Sequence, residues 1–285
     1  MFDERINNIL KEMTDGRYTE LYLSAGLKPY ARTEKNIFVF EDYDVLNREL
    51  VENMLKEMTS ARAYQDFLEK GNISFSYSVS GQGRYMVNAF KQRNSIAIIF
   101  KPVYKKIPED RVNLPSDISK VLDDSYGINI IASINNRKEI AAKILKSISE
   151  EKECLIMTIE DTIKYPIRSD ISVVYQREKK SDFNSVSEVL EYINNIHPDI
   201  LYIDLYNLDW QDYKRIFELA ESGIKIFIGI KGFDAANALG SITESFPNEY
   251  EHMVQAKIKR NIRYIIYEDA GNNNELIIKE YVSEK

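Results

Sequence analysis

Hydrophobic positions in the first hundred residues alternate between a helical and a strand period. Helices are predicted where apolar residues recur three and four positions apart: 6–13, 46–58 and 60–70. Strands are predicted where apolar and polar residues alternate: 20–24, 37–40, 73–79, 85–90 and 95–100. Helices and short strands in this order are typical of a small α+β domain, which we place at residues 1–102.

A charged segment at 103–114, bracketed by prolines, is interpreted as a linker. After it, the hydrophobic pattern changes to apolar strands that alternate with helices. Short apolar runs of the kind buried on both faces of a parallel sheet predict strands at 128–133, 155–159, 171–175, 200–204 and 224–229. Helical patterns lie between them at 138–149, 185–195 and 211–222, and an antiparallel pair closes the chain at 264–268 and 276–281. The fold class is therefore α/β for residues 115–285, with a doubly wound sheet.

Composition and charge narrow the function. With 44% hydrophobic residues, 29% charged residues and a net charge of -7, the chain is a globular protein. Its lysines are scattered among carboxylates, so we expect no nucleic-acid partner. No apolar run approaches the roughly 18 residues of a membrane span, and we expect a cytoplasmic protein. Two histidines and one cysteine exclude a structural zinc site.

Ligands of open α/β sheets bind beyond the carboxyl ends of the strands, which directs attention to the loop at 132–139. Around this loop the chain resembles the type IV pilus retraction ATPases (PilT-like) of the secretion ATPase superfamily. The segments that carry the resemblance, in the family's order, are LYLSAG (21–26), FSYSV (75–79), GRYMVNAFKQR (83–93), TIED (158–161), QRE (176–178), PDIL (198–201), AA (235–236) and FP (246–247).

The resemblance implies a PAS-like first domain and a RecA-like, P-loop-type second domain. Members of the family form a hexameric ring that converts ATP hydrolysis into pilin extraction during twitching motility. Arg84 and Arg93 match arginines that face nucleotide in the family, with support of the ring interface or packing as the alternative role. The family continues into C-terminal helices that we expect this chain, ending at Lys285, to lack.

The loop departs from P-loop chemistry. A P-loop, G-x-x-x-x-G-K-[ST], uses glycines to bring backbone N–H groups onto phosphate, a lysine for the terminal phosphates and a hydroxyl for magnesium. Here no glycine occurs between Gly127 and Gly223, and no hydroxyl follows the lysine. The residues of this vestigial P-loop, our candidates for cofactor binding, are Ser133, Asn135, Asn136 and Lys138.

The catalytic positions implied by the resemblance are also replaced. Lys164 stands where the family has its glutamate base, and a charged ammonium has no lone pair to accept a proton. Asp204 replaces a glutamate that organises magnesium; it is our candidate metal ligand, with a capping or solvated role as the alternative. Lys231 replaces a histidine. Lys138, Lys164 and Lys231 could also form a cationic pocket for another anion, against the alternative of ordinary solvated lysines.

These replacements favour a catalytically degenerate protein, a pseudo-ATPase that needs no cofactor. It would be a structural or regulatory component of a type IV pilus or related secretion machine, as a homo-oligomer or in a mixed ring with an active paralogue. Components of the inner-membrane platform are the expected partners, and they would place it at the membrane periphery. One alternative is a divergent motor that binds or slowly hydrolyses ATP with magnesium; another is a module that binds a different anion.

Overall fold

The computed structural model describes residues 4–14, 17–33, 36–80, 83–104, 106–108, 112–123, 126–269 and 275–281. The sequence also predicts turns at 81–83, between two strands of the first domain, and at 270–274, between the last two strands; residues 81–82 and 270–274 lie outside the described residues. Contacts divide the chain into two units, Met1–Lys106 and Ile107–Lys285. In the described parts of the chain, no helix is long and apolar enough to cross a bilayer.

The first unit is an antiparallel sheet covered by helices. The strands are β1 (Glu20–Ser24), β2 (Tyr30–Arg32), β3 (Ile37–Val39), β4 (Asn72–Val79), β5 (Gly83–Gln92) and β6 (Ser95–Val103), in the order β3-β2-β1-β6-β5-β4. The helices are α1 (Glu4–Thr14), α2 (Arg48–Met58) and α3 (Ala61–Lys70). Leu10, Leu55 and Phe67 pack with strand residues such as Phe100 in one buried cluster. The predicted α+β fold is confirmed, although β2 was missed because its sequence, YAR, has no β-branched residue, whereas the equally short β3 is IFV.

Local chemistry fixes the ends of these elements. The Asn47 side chain accepts a hydrogen bond from the Leu50 N–H and caps α2, and Gly71 ends α3 in the left-handed conformation at φ 76°. Strands β5 and β6 are joined by a two-residue turn, Arg93 and Asn94, with φ of 43° and 60°. Positive φ at both central residues is the type I′ geometry that matches strand twist.

The second unit contains a seven-stranded sheet among the described residues, in the order β13-β12-β7-β11-β10-β8-β9. Its strands are β7 (Gly127–Ala132), β8 (Leu155–Glu160), β9 (Val173–Glu178), β10 (Ile200–Asp204), β11 (Lys225–Ile230), β12 (Ile262–Asp269) and β13 (Glu275–Glu280). All neighbouring pairs are parallel except β12–β13. Its helices are α4 (Ser119–Asp123), α5 (Arg137–Glu151), α6 (Val186–Ile196), α7 (Trp210–Glu221), α8 (Ala235–Glu244) and α9 (Glu251–Asn261).

Helices cover both faces of this sheet. One buried cluster joins β7, β8, β10 and β11 to α6, α7, α8 and α9, and another joins the opposite face to α4 and α5. Every residue of β7 and β10 is buried, which explains why both strands are mostly apolar, with Asn129 in β7 and Asp204 at the end of β10 as the charged or amide-bearing exceptions. The predicted α/β class, with a RecA-like second domain, is confirmed by this arrangement.

Two details differ from the sequence predictions. The strand predicted at 171–175 begins at Val173, because the Ser169 hydroxyl accepts hydrogen bonds from the N–H groups of Ile171 and Ser172 and holds them in a turn. Helices α4, α8 and α9 were not predicted. Helix α4 has only five residues, α8 contains the helix-disfavouring Gly240, and α9 is largely polar.

Candidate functional site

The candidate site lies where neighbouring strands of the second unit end. Asp204 and Glu160 are the last residues of β10 and β8 and are partners across that parallel pair. The loop 133–136 follows β7 and leads into α5, whose first residues are Arg137 and Lys138. The structure therefore brings Lys138 and Asp204, both predicted site residues, to the same edge of the sheet.

Ser133 forms hydrogen bonds within the loop 133–136 that occupy the loop's own N–H groups. The Ser133 hydroxyl oxygen accepts hydrogen bonds from the N–H groups of Asn135 and Asn136, at 3.2 and 2.8 Å. The Ser133 N–H donates to the Ile230 carbonyl of β11 at 3.2 Å. A working P-loop needs such N–H groups to point at phosphate. Here three of them already have acceptors within the protein.

A carboxylate from β12 lies against the same loop. Glu268 accepts a hydrogen bond from the Asn136 side-chain amide at 2.6 Å and a short one from the Ser133 hydroxyl. This contact spans more than 130 positions of sequence. A negative charge at this position opposes the approach of a phosphate group.

Behind the loop, the first turn of α5 places two cations on two buried carboxylates. Arg137 binds Asp204 through two of its three guanidinium nitrogens, at 2.9 Å from Nε to Oδ2 and 3.1 Å from Nη2 to Oδ1. Lys138 Nζ lies 3.3 Å from Asp204 Oδ1, 3.3 Å from Glu160 Oε2 and 2.7 Å from the Thr162 carbonyl oxygen. We call Arg137, Lys138, Glu160 and Asp204 the ion-pair cluster. Its two positive and two negative charges balance.

Neutral donors complete the cluster. The Tyr202 hydroxyl donates to Asp204 Oδ2 at 2.9 Å, and the Thr158 hydroxyl donates to Glu160 Oε1 at 2.8 Å. Gly229 of the intervening strand β11 leaves room for this arrangement, since a Cβ there would lie 2.6 Å from Asp204 Oδ2. Each carboxylate oxygen thus has a partner, as buried charges require.

Burial and charge shift the titration of the cluster. Burial acts to lower the pKa of Lys138, but the carboxylates of Glu160 and Asp204 outweigh it and hold that pKa above its ordinary value. Burial raises the pKa of Glu160, and Lys138 offsets only part of this rise. Burial raises the pKa of Tyr202 well above its ordinary value, with a further contribution from Asp204. Tyr202 therefore stays protonated and donates to Asp204 throughout the neutral range.

Little space remains inside the cluster. The cavity beside Lys138 and Glu160, lined also by Tyr165, Gln176 and Tyr202, has a volume of about 10 Å³. A cavity of this size holds at most one water molecule. A triphosphate would have to displace the ion pairs to reach the Lys138 ammonium.

The oxygens of Asp204, our candidate metal ligand, already contact protein groups: they bind Arg137, Lys138 and Tyr202. Magnesium that is bound with a nucleotide takes one or two carboxylates together with water and phosphate oxygens, so an ion at Asp204 would have to displace these partners. Among the described residues, no three or more Asp, Glu, His or Cys side chains lie together as a ligand set.

The other predicted site residues have separate surroundings. Lys164 is half-buried with its ammonium 5.2 Å from the centre of the Tyr165 ring, and Lys231 is exposed. Arg84 is half-buried near the start of β5, whereas Arg93 is exposed in the turn after it. Eight residues of extended strand lie between the two arginines, a span of about 30 Å, so the structure does not bring them together.

Sequence reasoning missed three contributors. Arg137 was not predicted as a site residue, although it lies beside the predicted Lys138 in the first turn of α5. Tyr202 lies two positions before Asp204 on a strand, and the strand period of two could have placed it on the same side. Glu268 reaches the loop only through tertiary structure, and no local signal in the sequence marks it.

The second unit, Ile107–Lys285, has the fold of a RecA-like domain of the P-loop NTPase type. Its phosphate loop differs from the P-loop pattern, and the first unit is an α+β domain. No family model matches the sequence. The type IV pilus retraction ATPase PilT of Pseudomonas aeruginosa is 25% identical over 251 residues, covering 87% of this chain and 72% of PilT. The type IV pilus ATPase PilU of the same organism is 24% identical over 262 residues, covering 90% of this chain and 68% of PilU. The chain is PilT-like, which confirms the predicted resemblance.

Solved structures agree on the fold. The pilus retraction motor PilT with bound ADP superposes with a TM-score of 0.84 at 24% identity, over 98% of this chain and 83% of that one. The ATPase DotB of Legionella pneumophila gives a TM-score of 0.76 at 15% identity, over 97% of this chain and 80% of that one.

Proposed function

We propose that this chain is a pseudo-ATPase of the PilT-like group, acting as a structural or regulatory component of a type IV pilus or related secretion machine. The ion-pair cluster is the observation that carries the proposal. In a motor, the lysine of the loop and the carboxylates of the neighbouring strands must be free for phosphate and magnesium. In this chain Lys138, Glu160 and Asp204 neutralise one another, with Arg137 as the second cation.

The chemistry of the altered positions supports the same proposal. Lys164, at the position of the family's base, carries an ammonium that cannot take a proton from water. The loop contains no glycine, and its Ser133 side chain accepts the N–H groups that a phosphate would need. Several independent groups are altered while the buried apolar pattern is kept, which favours selection for the fold without the reaction.

We propose its role in the cell from the machinery to which its relatives belong. PilT and PilU are named as ATPases of the type IV pilus. We place this chain beside such a motor, in a mixed ring or on the platform that the ring serves. A scaffold of this kind works without nucleotide, so its activity in the cell depends on its surfaces.

Direct measurement of nucleotide binding tests the proposal. We expect no change in melting temperature with millimolar Mg-ATP or Mg-ADP, assayed beside P. aeruginosa PilT as the positive control. A ligand at 100 times its Kd adds about 2.7 kcal/mol to the stability of the folded state, a shift of several degrees. We also expect no release of phosphate from ATP.

A matched variant separates real activity from contamination. Asp204→Asn keeps the size of the side chain but removes the charge that any magnesium-dependent hydrolysis would use. Turnover of ATP by wild type that disappears in Asp204→Asn would establish the alternative, a divergent motor, and overturn the pseudo-ATPase proposal. A residual turnover that is equal in both proteins comes from a contaminating enzyme.

A cellular assay tests the role. Deletion of the gene is expected to alter pilus-dependent motility or secretion in its host, and a copy carrying Lys164→Ala is expected to restore the wild-type phenotype in full. Lys164 is half-buried and outside the ion-pair cluster, so this variant should fold. Failure of Lys164→Ala to complement, with normal protein levels, would argue for chemistry at that position.

A further inference from the structure

Strand β9 is covered on one face of its sheet and bare on the other. Val174 packs against the buried cluster that contains α4 and α5. Val173 and Tyr175 point to the opposite face, because successive side chains of a strand alternate, and they are 52% and 58% exposed. Tyr175 pairs with Met157 of β8, which belongs to the cluster beneath α6 and α7. The bare face of β9 is therefore on the α6 side of the sheet.

This face and helix α6 form the two walls of a groove with a volume of about 1010 Å³, which we call the β9–α6 groove. Its lining includes, from the sheet and then from the helix, Met157, Tyr175, Arg177, Glu188, Val189 and Tyr192. The helix residues among them recur three and four positions apart and so share one face of α6. Tyr192 is 56% exposed. Each wall thus presents one large exposed aromatic side chain, which marks the groove as an interaction surface.

The dimensions of the groove suit an α-helix. A helix about 10 Å across occupies about 120 Å³ per residue, so the groove holds roughly eight residues, or two turns. Its walls are long enough, since the six residues of β9 extend about 20 Å and the eleven of α6 about 16 Å. Helices cover both faces of a doubly wound sheet, and the groove is the place of one more helix beside α6. A strand added at the edge of β9 would lie beside the sheet and leave the groove open.

Charge defines which helix fits. Two exposed carboxylates, Asp182 and Glu188, line the groove, and the sequence of α6 contains no lysine, arginine or histidine. The lining cation, Arg177, is half-buried and already held. Its Nη2 donates to the Asp182 carbonyl at 3.1 Å, and its guanidinium lies 5.6 Å from the centre of the Phe183 ring. The α6 wall therefore favours a helix with lysine or arginine beside its apolar stripe. The same carboxylates oppose an anionic lipid surface.

The groove is apolar at its base and polar at its rim. Met157 and Val189 are buried and form an apolar floor. Tyr175 and Tyr192 each combine an apolar ring with a polar hydroxyl, as aromatic anchors of interfaces do. The carboxylate of Glu188 belongs to the rim. An apolar base, aromatic walls and a charged rim together are typical of grooves that bind one face of an amphipathic helix.

We propose that the β9–α6 groove is a docking site for an amphipathic helix of a partner protein, one that carries lysine or arginine on the flank that meets α6. The docked helix lies beside α6 and covers Val173 and Tyr175, which completes the helix layer on this face of the sheet. No residue of the ion-pair cluster lines the groove. The docking site is therefore a feature of the chain beyond its proposed role, and it does not depend on whether nucleotide binds.

Binding of a designed peptide to the full chain tests the proposal. The probe is a fluorescent peptide of about 16 residues, long enough to form a helix when bound. It has leucines three and four positions apart and lysines on one flank of that stripe. Fluorescence anisotropy is expected to give a Kd in the micromolar range. A peptide of the same composition in shuffled order has no stripe and should bind about tenfold more weakly.

Substitutions in the groove locate the binding. Tyr175→Ala and Tyr192→Ala should each weaken binding of the lysine peptide about tenfold, the loss typical of an aromatic anchor. The matched control is Tyr126→Ala, which removes a tyrosine that is 53% exposed outside the groove and should bind as wild type does. Glu188→Lys keeps the backbone N–H that donates to the Ser185 hydroxyl. It should weaken binding of the lysine peptide about fivefold, and strengthen binding of a peptide with glutamates in place of the lysines by a similar factor.

The proposal is wrong if the lysine peptide does not bind at millimolar concentration, or if it binds Tyr175→Ala and Tyr192→Ala as tightly as wild type. It is also wrong if Glu188→Lys leaves the preference between the lysine and glutamate peptides unchanged. A wild-type dimer in analytical ultracentrifugation that is lost in Tyr192→Ala would assign the groove to a second copy instead. No nucleotide is present in these measurements, so their outcome is distinct from that of the nucleotide assays.

Discussion

Replacing Lys138 by methionine removes the cation shared by Glu160 and Asp204 while keeping the length of the side chain. Lys138 Nζ lies 3.3 Å from each carboxylate. Asp204 retains Arg137, but Glu160, only 4% exposed, keeps only neutral donors. Breaking a buried ion pair from one side costs about 3–5 kcal/mol. We expect a loss near the lower end of this range at pH 7, because Glu160 can take up a proton.

The pH dependence gives this prediction a sign. Burial already raises the pKa of Glu160 above its unfolded value, and loss of Lys138 raises it further. A carboxyl group whose folded pKa is raised favours the folded state most at pH values below its unfolded pKa, and this advantage is lost as the pH rises through the folded pKa. Lys138→Met should therefore approach wild-type stability as the pH falls from 7 to 5, by up to about 1.4 kcal/mol per pH unit.

Urea denaturation followed by circular dichroism at pH 5, 6 and 7 provides the measurement. The matched control is Lys138→Met combined with Glu160→Gln, which removes the charge left behind and should recover part of the loss at pH 7. A change in the free energy of unfolding below about 0.5 kcal/mol, or a loss that does not vary with pH, would refute the closed ion-pair cluster. Either result would also restore Lys138 as a residue available to a ligand.

Other substitutions probe separate parts of the fold. Ser133→Ala leaves two loop N–H groups without their acceptor and should cost about 1–2 kcal/mol in urea denaturation without creating nucleotide binding; unchanged stability would contradict the closed loop. Burial raises the pKa of Tyr213 to about 12, so wild type should lose about 2 kcal/mol of stability between pH 10 and pH 12, a loss that Tyr213→Phe should lack in alkaline titrations of folding. His197 ends α6 at φ 50°, and His197→Gly should raise the free energy of unfolding by about 1 kcal/mol; a lower melting temperature would argue against strain there.

The sequence predicted the fold best where the residues of a single helix or strand carry the signal for its structure. The buried runs of β7 and β10, which are mostly apolar because both faces of the sheet are covered, identified the parallel sheet. The caps at Asn47 and Ser60 lie beside the helices that they begin. Helix α9 was missed because its residues are mostly polar and its place in the fold depends on packing against α7 and α8.

The candidate site was predictable in location and only partly in content. The rule that ligands bind at the carboxyl ends of strands selected the loop at 132–139, and the resemblance selected Asp204; the structure places both at one edge of the sheet. Neither could tell that Arg137 would bind Asp204, because this contact depends on how the first turn of α5 is oriented. The carboxylate of Glu268 comes from β12, and its approach to the loop depends on the strand order of the whole sheet.

The contact between Arg137 and Asp204 has a consequence for any attempt to introduce P-loop chemistry into this chain. The guanidinium forms a buried ion pair with Asp204, and the missing side chain of Gly229 leaves the space that this pair occupies. Restoring glycines and a hydroxyl to the loop would leave that ion pair in place, and removing the arginine alone would strand a charged aspartate in the interior. If the chain is the pseudo-ATPase that we propose, conversion to a working motor would therefore require several coordinated replacements, because no single substitution frees Asp204 and keeps its charge paired.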